Sequence, residues 1–285
     1  MKQSNNIKLV FFGSSKYVIP IIAILKSAKL RFDLVLVVTT EKNPSDAVPS
    51  YCLANKIPFI SVQQFNNLTM QAIKDAYASF AILADFGLII PQKVLKIFPK
   101  GIINIHPSLL PKYRGPTPVQ NAILNGEKVT GVSIIRLDDK VDHGPILCQK
   151  NEKILPDDTS ETLYLRLFKI GSDLIYQNIK QYIKEQLKPQ QQDHSKATFT
   201  KLLQKNDGLI NLDNPPSSVK IDRMIRAFYP WPGVFFKYKF DNKEKIIKLL
   251  PENKIQVEGK KPMSYKDFMN GYSEGKNILK KLGLI

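Results

Sequence analysis

At 285 residues, 43% of them hydrophobic, the chain can build one core of about 150–200 residues and a smaller second domain, and no apolar run approaches the roughly 20 residues that span a bilayer. A formal net charge of +17 and a pI near 9.6 call for an acidic partner, nucleic acid being the commonest, although a lysine-rich solubilising surface accounts equally well for charge alone. Two cysteines, Cys52 and Cys148, are too few for a disulfide framework and match no metal-ligand spacing, so a reducing, cytoplasmic setting is expected.

Residues 1–6 are few and polar and 7–12 already reads as a buried strand, so no targeting peptide is expected. Further strand-like runs at 32–39, 80–83 and 101–105 alternate with helical stretches, the first at 17–27. Such alternation predicts a Rossmann-like α/β fold, a mostly parallel sheet with helices on both faces. The turn after the first run holds a single glycine, Gly13, and not the three that a dinucleotide fingerprint needs. Asp158 and Glu161 have capping-box spacing and predict a long amphipathic helix to about Glu185. Pro189 and the glutamines that follow carry no apolar period and read as a linker. Strand candidates at 234–240, 245–250 and 254–257, punctuated by Pro232, Gly233, Asn242 and Pro251, predict a small β domain. The expected organisation is a catalytic domain over 1–186, a linker over 187–206 and a small domain over 207–285.

The chain has three histidines. His194 falls in the linker and is expected to be exposed; His143 falls in the turn Asp142-His143-Gly144-Pro145. His106 follows an apolar run and precedes Pro107, which cannot continue a central strand, so it stands at a strand's carboxyl end, where open α/β sheets collect ligands. The two-residue period puts Asn104 on the same face, with Cα atoms about 6–7 Å apart. The pair could equally cap a strand end. The proline-pinned loop 107–116 favours a rigid pocket wall. Asp142 lies before a Gly-Pro turn between apolar flanks, whereas Asp138 and Asp139 read as surface acids. If Asp142 reaches His106 it favours the imidazolium form, and an imidazolium beside an amide suits a developing oxyanion.

At these residues the chain resembles the formyltransferases that use 10-formyltetrahydrofolate. The matching segments are Ile103 to Pro111, Arg114-Gly115 with Pro118 and Ala122-Ile123, Thr130 to Ser133, and Val141 to Gly144. Ile225 to Gly233 and Gly259 to Ser264 are similar to segments of the members that act on methionyl-tRNA. The resemblance implies that Asn104, His106 and Asp142 are catalytic. It implies that the formyl-folate donor lies against Phe86, Gly87, Leu88, Ile89, Ser108, Leu109, Leu110 and Pro111, with no metal. It implies further that initiator methionyl-tRNA meets Gly13, Ser14, Tyr17, Lys42, Arg114, Lys260 and Lys261, that the second domain is an OB-like β-barrel contacting tRNA, and that the protein is a monomer. Two departures stand out: the loop from Thr39 to Pro49 is short, with Lys42 its one basic residue, and the C-terminal domain is shorter than usual. The alternatives are a formyltransferase acting on glycinamide ribonucleotide or an amino-sugar nucleotide, and a non-catalytic RNA-binding relative.

Overall fold

The structure is a computed structural model that describes residues 7–27, 32–240 and 243–285; the polar start and Asn242 lie outside these residues. Seven strands form the larger sheet: β1 (Ile7–Gly13), β2 (Phe32–Thr39), β3 (Phe59–Ser61), β4 (Phe80–Ala84), β5 (Ile102–His106), β6 (Val129–Arg136) and β7 (Ile146–Lys153). Their order is β3-β2-β1-β4-β5-β6-β7. Strands β1 to β5 pair in parallel and β6 runs antiparallel to β5.

Strand β1 is central because both its faces are apolar: Leu9, Val10, Phe11 and Phe12 are fully buried. On one face Phe12 meets Phe86 and Phe98 edge-on, at 5.3 and 6.0 Å between ring centroids. The chain steps outward from β1 to β2 and β3, then returns to β4 on the other side of β1. The carboxyl ends of β1 and β4 therefore form a topological switch point, where connecting loops part and leave a crevice.

Helices α1 (Ile19–Lys26), α2 (Ala47–Ala54), α3 (Asn67–Asp75), α4 (Gln92–Leu95) and α5 (Pro118–Leu124) precede the long α6 (Ser160–Ile183). The expected elements at 7–12, 17–27, 32–39, 80–83 and 101–105 all appear within a residue or two. Strands β3, β6 and β7 were not legible: β3 is three residues long, and the outer part of β7 is polar and solvent-facing. The long helix starts on different residues from those its sequence suggests. Thr159 and Thr162 exchange the reciprocal bonds, 3.0 and 3.2 Å, while the Asp158 carboxylate accepts from the Leu155 N–H and the Thr162 hydroxyl. Two acceptors competed for one cap, and the threonine with a matching partner took it.

Helix α6 buries Leu167, Ile175, Ile179 and Ile183 at four-residue spacing, and Gly171 continues the stripe. A Cβ at Gly171 would stand 2.5 Å from Ile105 Cγ2, so this glycine allows the helix to lie directly on β5 between Asn104 and His106.

The chain groups into two units. The first comprises 1–116, 130–152 and 164–199, the second 117–129, 153–163 and 200–285. Helix α5 and the start of α6 thus fall with the C-terminal region although they lie inside the expected 1–186, because α5 packs on α7 (Ser218–Ala227). Within the second unit β8 (Val234–Phe240), β9 (Lys243–Leu250), β10 (Lys254–Val257) and β11 (Met263–Ser264) form an antiparallel sheet in the order β11-β10-β9-β8. The small β domain is therefore a four-stranded sheet, with β8 bridged on its outer edge by Leu209 and followed by α8 (Tyr265–Gly271) and α9 (Gly275–Lys281). No helix among the described residues is long and apolar enough to cross a membrane.

Gly171→Val is expected to lower stability by roughly 1–3 kcal/mol, the usual cost of overpacking a tight contact. A denaturant midpoint equal to that of the wild type would contradict the close approach of α6 to β5.

Candidate active site

Strand β5 ends on His106, and both polar side chains that it carries turn to one carboxylate. Asn104 Nδ2 donates to Asp142 Oδ1 at 2.9 Å, and His106 Nδ1 lies 3.5 Å from Asp142 Oδ2. Asn104, His106 and Asp142 are 6%, 4% and 9% exposed, so the cluster exchanges little of its hydrogen bonding with water. The other ring nitrogen, His106 Nε2, stands 2.9 Å from the Tyr113 carbonyl oxygen. A carbonyl only accepts, so Nε2 carries hydrogen, and Nδ1 is the nitrogen turned to the carboxylate.

Asp142 reaches this position through a left-handed backbone, φ 47°, which few residue types adopt. Oδ2 accepts the Gly115 N–H at 2.8 Å. Gly144 lies against β6, where a Cβ would overlap the Arg136 carbonyl, and that close approach sets the turn two residues after Asp142.

The loop after β5 is braced from beneath by Ser133 of β6. Its hydroxyl donates to Ser108 O at 2.6 Å and accepts from Leu110 N–H at 3.0 Å and Gln149 Nε2 at 2.7 Å. Ser108 is fully buried with its hydroxyl on Lys112 O, and Leu110 packs with Ile135 and Ile146. After β4, Phe86 belongs to the core cluster beneath the sheet edge, whereas Ile89 is 80% exposed. Phe86, Ser108 and Leu110 therefore present main chain to any ligand, and their side chains hold the loops.

Beside this edge, Gly13 has no room for a side chain because Phe11 and the Ala84 carbonyl close on it. Ser14 Oγ lies 2.7 Å from Thr40 Oγ1, and Ser14 N–H donates to Asp85 O at 2.8 Å. Tyr17 stacks on Tyr164 of α6 with centroids 5.4 Å apart. Glu41 accepts N–H groups of Ser15 and Val48 at 2.8 and 2.7 Å, which ties the short loop after β2 to the turn after β1 and to the start of α2; Lys42 is exposed. Lys260 and Lys261, in the second unit, are exposed in the turn after β10.

Arg114 does not meet solvent as its expected RNA-contacting role requires. It is 3% exposed; Nη2 donates to Gln192 Oε1 at 2.7 Å and to His194 Nδ1 at 2.8 Å. Burial lowers the guanidinium's proton affinity, opposed by the charges of Asp142 and Asp138. His194 is exposed as expected, yet it stacks on His143 at 4.0 Å, and His143 Nδ1 meets the Asp138 carboxylate at 2.6 Å. Asp138 is thus half-buried and paired. Gln192 and Glu41 are polar residues in stretches without apolar period and carried no signal in the sequence, whereas Ser133 and Tyr164 lay in a matching segment and an expected helix with nothing to single out their side chains. A separate cleft of about 620 Å³, among Lys74, Tyr77, Lys93 and Lys96, lies at the amino ends of β4 and β5, away from this cluster.

This arrangement on this sheet is that of a formyl transferase, and the chain belongs to that family. The family model described as Formyl transferase matches residues 7–179, and the one described as Formyl transferase, C-terminal domain, matches 202–254. A methionyl-tRNA formyltransferase from Roseiflexus sp. (strain RS-1) is 38% identical over 80% of this chain and 72% of its own length. One from Thermodesulfovibrio yellowstonii (strain ATCC 51303 / DSM 11347 / YP87) is 33% identical over 92% of this chain and 95% of its own. Among solved structures, WlaRD, a sugar 3N-formyl transferase determined in the presence of dTDP and 5-N-formyl-THF, shares the fold with a TM-score of 0.61 at 22% identity, covering 90% of this chain and 99% of its own.

Proposed function

We propose that this protein transfers the formyl group of 10-formyltetrahydrofolate to the α-amino group of methionine on initiator methionyl-tRNA, giving N-formylmethionyl-tRNA for translation initiation. The observation that carries the reading is the buried Asp142 carboxylate, bonded to Asn104 at 2.9 Å and 3.5 Å from His106, at the carboxyl edge of a parallel sheet. The acceptor is chosen on the relatives' names, on the C-terminal domain match and on the net charge of +17.

The donor is assigned to the loops after β4 and β5, where Gly87, Leu88, Ile89, Leu109 and Pro111 offer main chain and apolar surface around the buried Phe86, Ser108 and Leu110. As the methionine amine attacks the formyl carbon, Asn104 and His106 stabilise the oxygen that gains charge. His106 Nε2 is taken up by the Tyr113 carbonyl, and Nδ1, whose 3.5 Å contact with Asp142 is the longer one, is the nitrogen assigned to the reacting oxygen. Asp142 orients His106 and assists proton transfer from the incoming amine to the leaving nitrogen. The aminoacyl end is assigned to Gly13, Ser14 and Tyr17, with Lys42, Lys260 and Lys261 as phosphate contacts. Arg114 is reassigned to holding the loop that carries Gly115.

Asn104→Ala or His106→Ala should lower turnover about 10²- to 10³-fold, the usual worth of an oxyanion donor, with folding intact. Asp142→Asn should abolish transfer while donor binding persists, because an amide in that place must turn its NH₂ toward one of the donors that now meet the carboxylate. Normal turnover in any of the three sinks the assignment. The direct test supplies 10-formyltetrahydrofolate with initiator methionyl-tRNA, glycinamide ribonucleotide or an amino-sugar nucleotide; formylation of either small amine in preference to the tRNA rejects the acceptor.

Affinity for tRNA should fall linearly on a log–log salt plot, by about 0.7–0.9 per phosphate engaged. Replacing Lys260 and Lys261 together by alanine should reduce that slope by about 1 for each phosphate no longer neutralised, with kcat unchanged at saturating tRNA. A slope equal to that of the wild type removes these lysines from the interface.

A further inference from the structure

We infer that Gln192, in a segment whose sequence reads as a solvated linker, is a positioning residue that sets the geometry of Asp142. The inference rests on the reading of Asn104, His106 and Asp142 as the reacting cluster, and it reaches beyond that cluster to what holds it.

Gln192 is 5% exposed, and all four hydrogen-bonding positions of its amide are used. Nε2 donates to the carbonyls of Asp142 at 2.9 Å and Gly144 at 2.7 Å. Oε1 accepts from Arg114 Nη2 at 2.7 Å and Nε at 3.3 Å. One side chain thereby ties the turn that carries Asp142 to the residue that precedes Gly115, whose N–H binds the Asp142 carboxylate. The left-handed backbone of Asp142 persists because its carbonyl and its carboxylate are both held from outside the turn.

The same segment fixes the other half of the cluster. Gln190 pairs both ways with Ile146 at 2.8 Å, Arg114 N–H donates to Thr198 O at 2.8 Å, and Tyr113 N–H to Thr198 Oγ1 at 2.8 Å. Tyr113 supplies the carbonyl that holds His106 Nε2. Both the acceptor that sets the imidazole and the donor that sets the carboxylate are therefore anchored by residues 190–198. Neither Gln192 nor Thr198 has to touch a substrate to matter.

An amide is required at 192 because it faces carbonyls on one side and a guanidinium on the other. Methionine keeps the length and offers no hydrogen bond. Glutamate keeps the contact with Arg114 but sets an acceptor against two carbonyls. Both variants should lower kcat by about 10²-fold, the typical cost of misplacing a catalytic group by about an ångström, with KM for the formyl donor within about twofold of wild type. Amide exchange at Gly115, read without any substrate, should quicken by about fivefold, the worth of one hydrogen bond. Gln191→Ala, on the exposed neighbour, should change neither readout. Wild-type kcat in both variants, or Gly115 exchange equal to wild type in the folded Gln192→Glu protein, overturns the role of Gln192. A wild-type protein that formylates no acceptor sinks the functional reading instead, and the exchange measurement then still decides whether Gln192 holds the Asp142 turn.

Discussion

A carboxylate less than a tenth exposed is tolerated only where polar groups surround it, and the Asp142 carboxylate finds them at two places in the chain. The end of β5 supplies the Asn104 amide, which donates to it, and the His106 ring 3.5 Å away, and the loop beyond supplies the Gly115 N–H. Each contact offsets part of the carboxylate's desolvation, so the strand end and the loop after it are held to a common geometry. On the proposed reading, groups fixed in this way are preorganised for a developing charge.

The sheet decides where such a lock can form. Strands β1, β4 and β5 run parallel, so the loops after them all rise from one edge, and the strand order reverses there between β1 and β4. Close approaches keep the edge tight: Gly13 between Phe11 and Ala84, Gly171 against Ile105, and Gly144 against β6. The apolar layer beneath, with Phe12 and Phe86 in edge-on contact, gives these loops a floor that does not yield.

Polarity in this chain serves opposite ends in its two kinds of segment. Around the cluster, Ser133, Arg114 and Gln192 are buried and hydrogen-bonded to the loops they hold. On the outside, Lys42, Lys260 and Lys261 are exposed, and salt screens their charges. Composition adds the two together as one basic, polar chain, and only burial separates them.

The α/β class, the principal strands and the pairing of Asn104 with His106 were legible in the sequence, because each rests on local periodicity: apolar runs make buried strands, and a period of two puts alternate residues on one face. Asp142 could be joined to that pair only through resemblance, since 36 residues separate it from His106 and no periodicity spans such a gap. The same limit hid Gln192. A glutamine run after a proline has no apolar pattern and reads as linker, yet its burial depends on Arg114 and the Asp142 turn, which are distant in the chain and adjacent in space. The Thr159–Thr162 cap, the grouping of α5 with α7 and the withdrawal of Arg114 into the interior were decided in the same way. The sequence by itself determined which residues could do chemistry at a strand's end; the tertiary structure decided which of them are held there, because hydrogen-bond saturation of a buried group is settled by neighbours that only folding brings together.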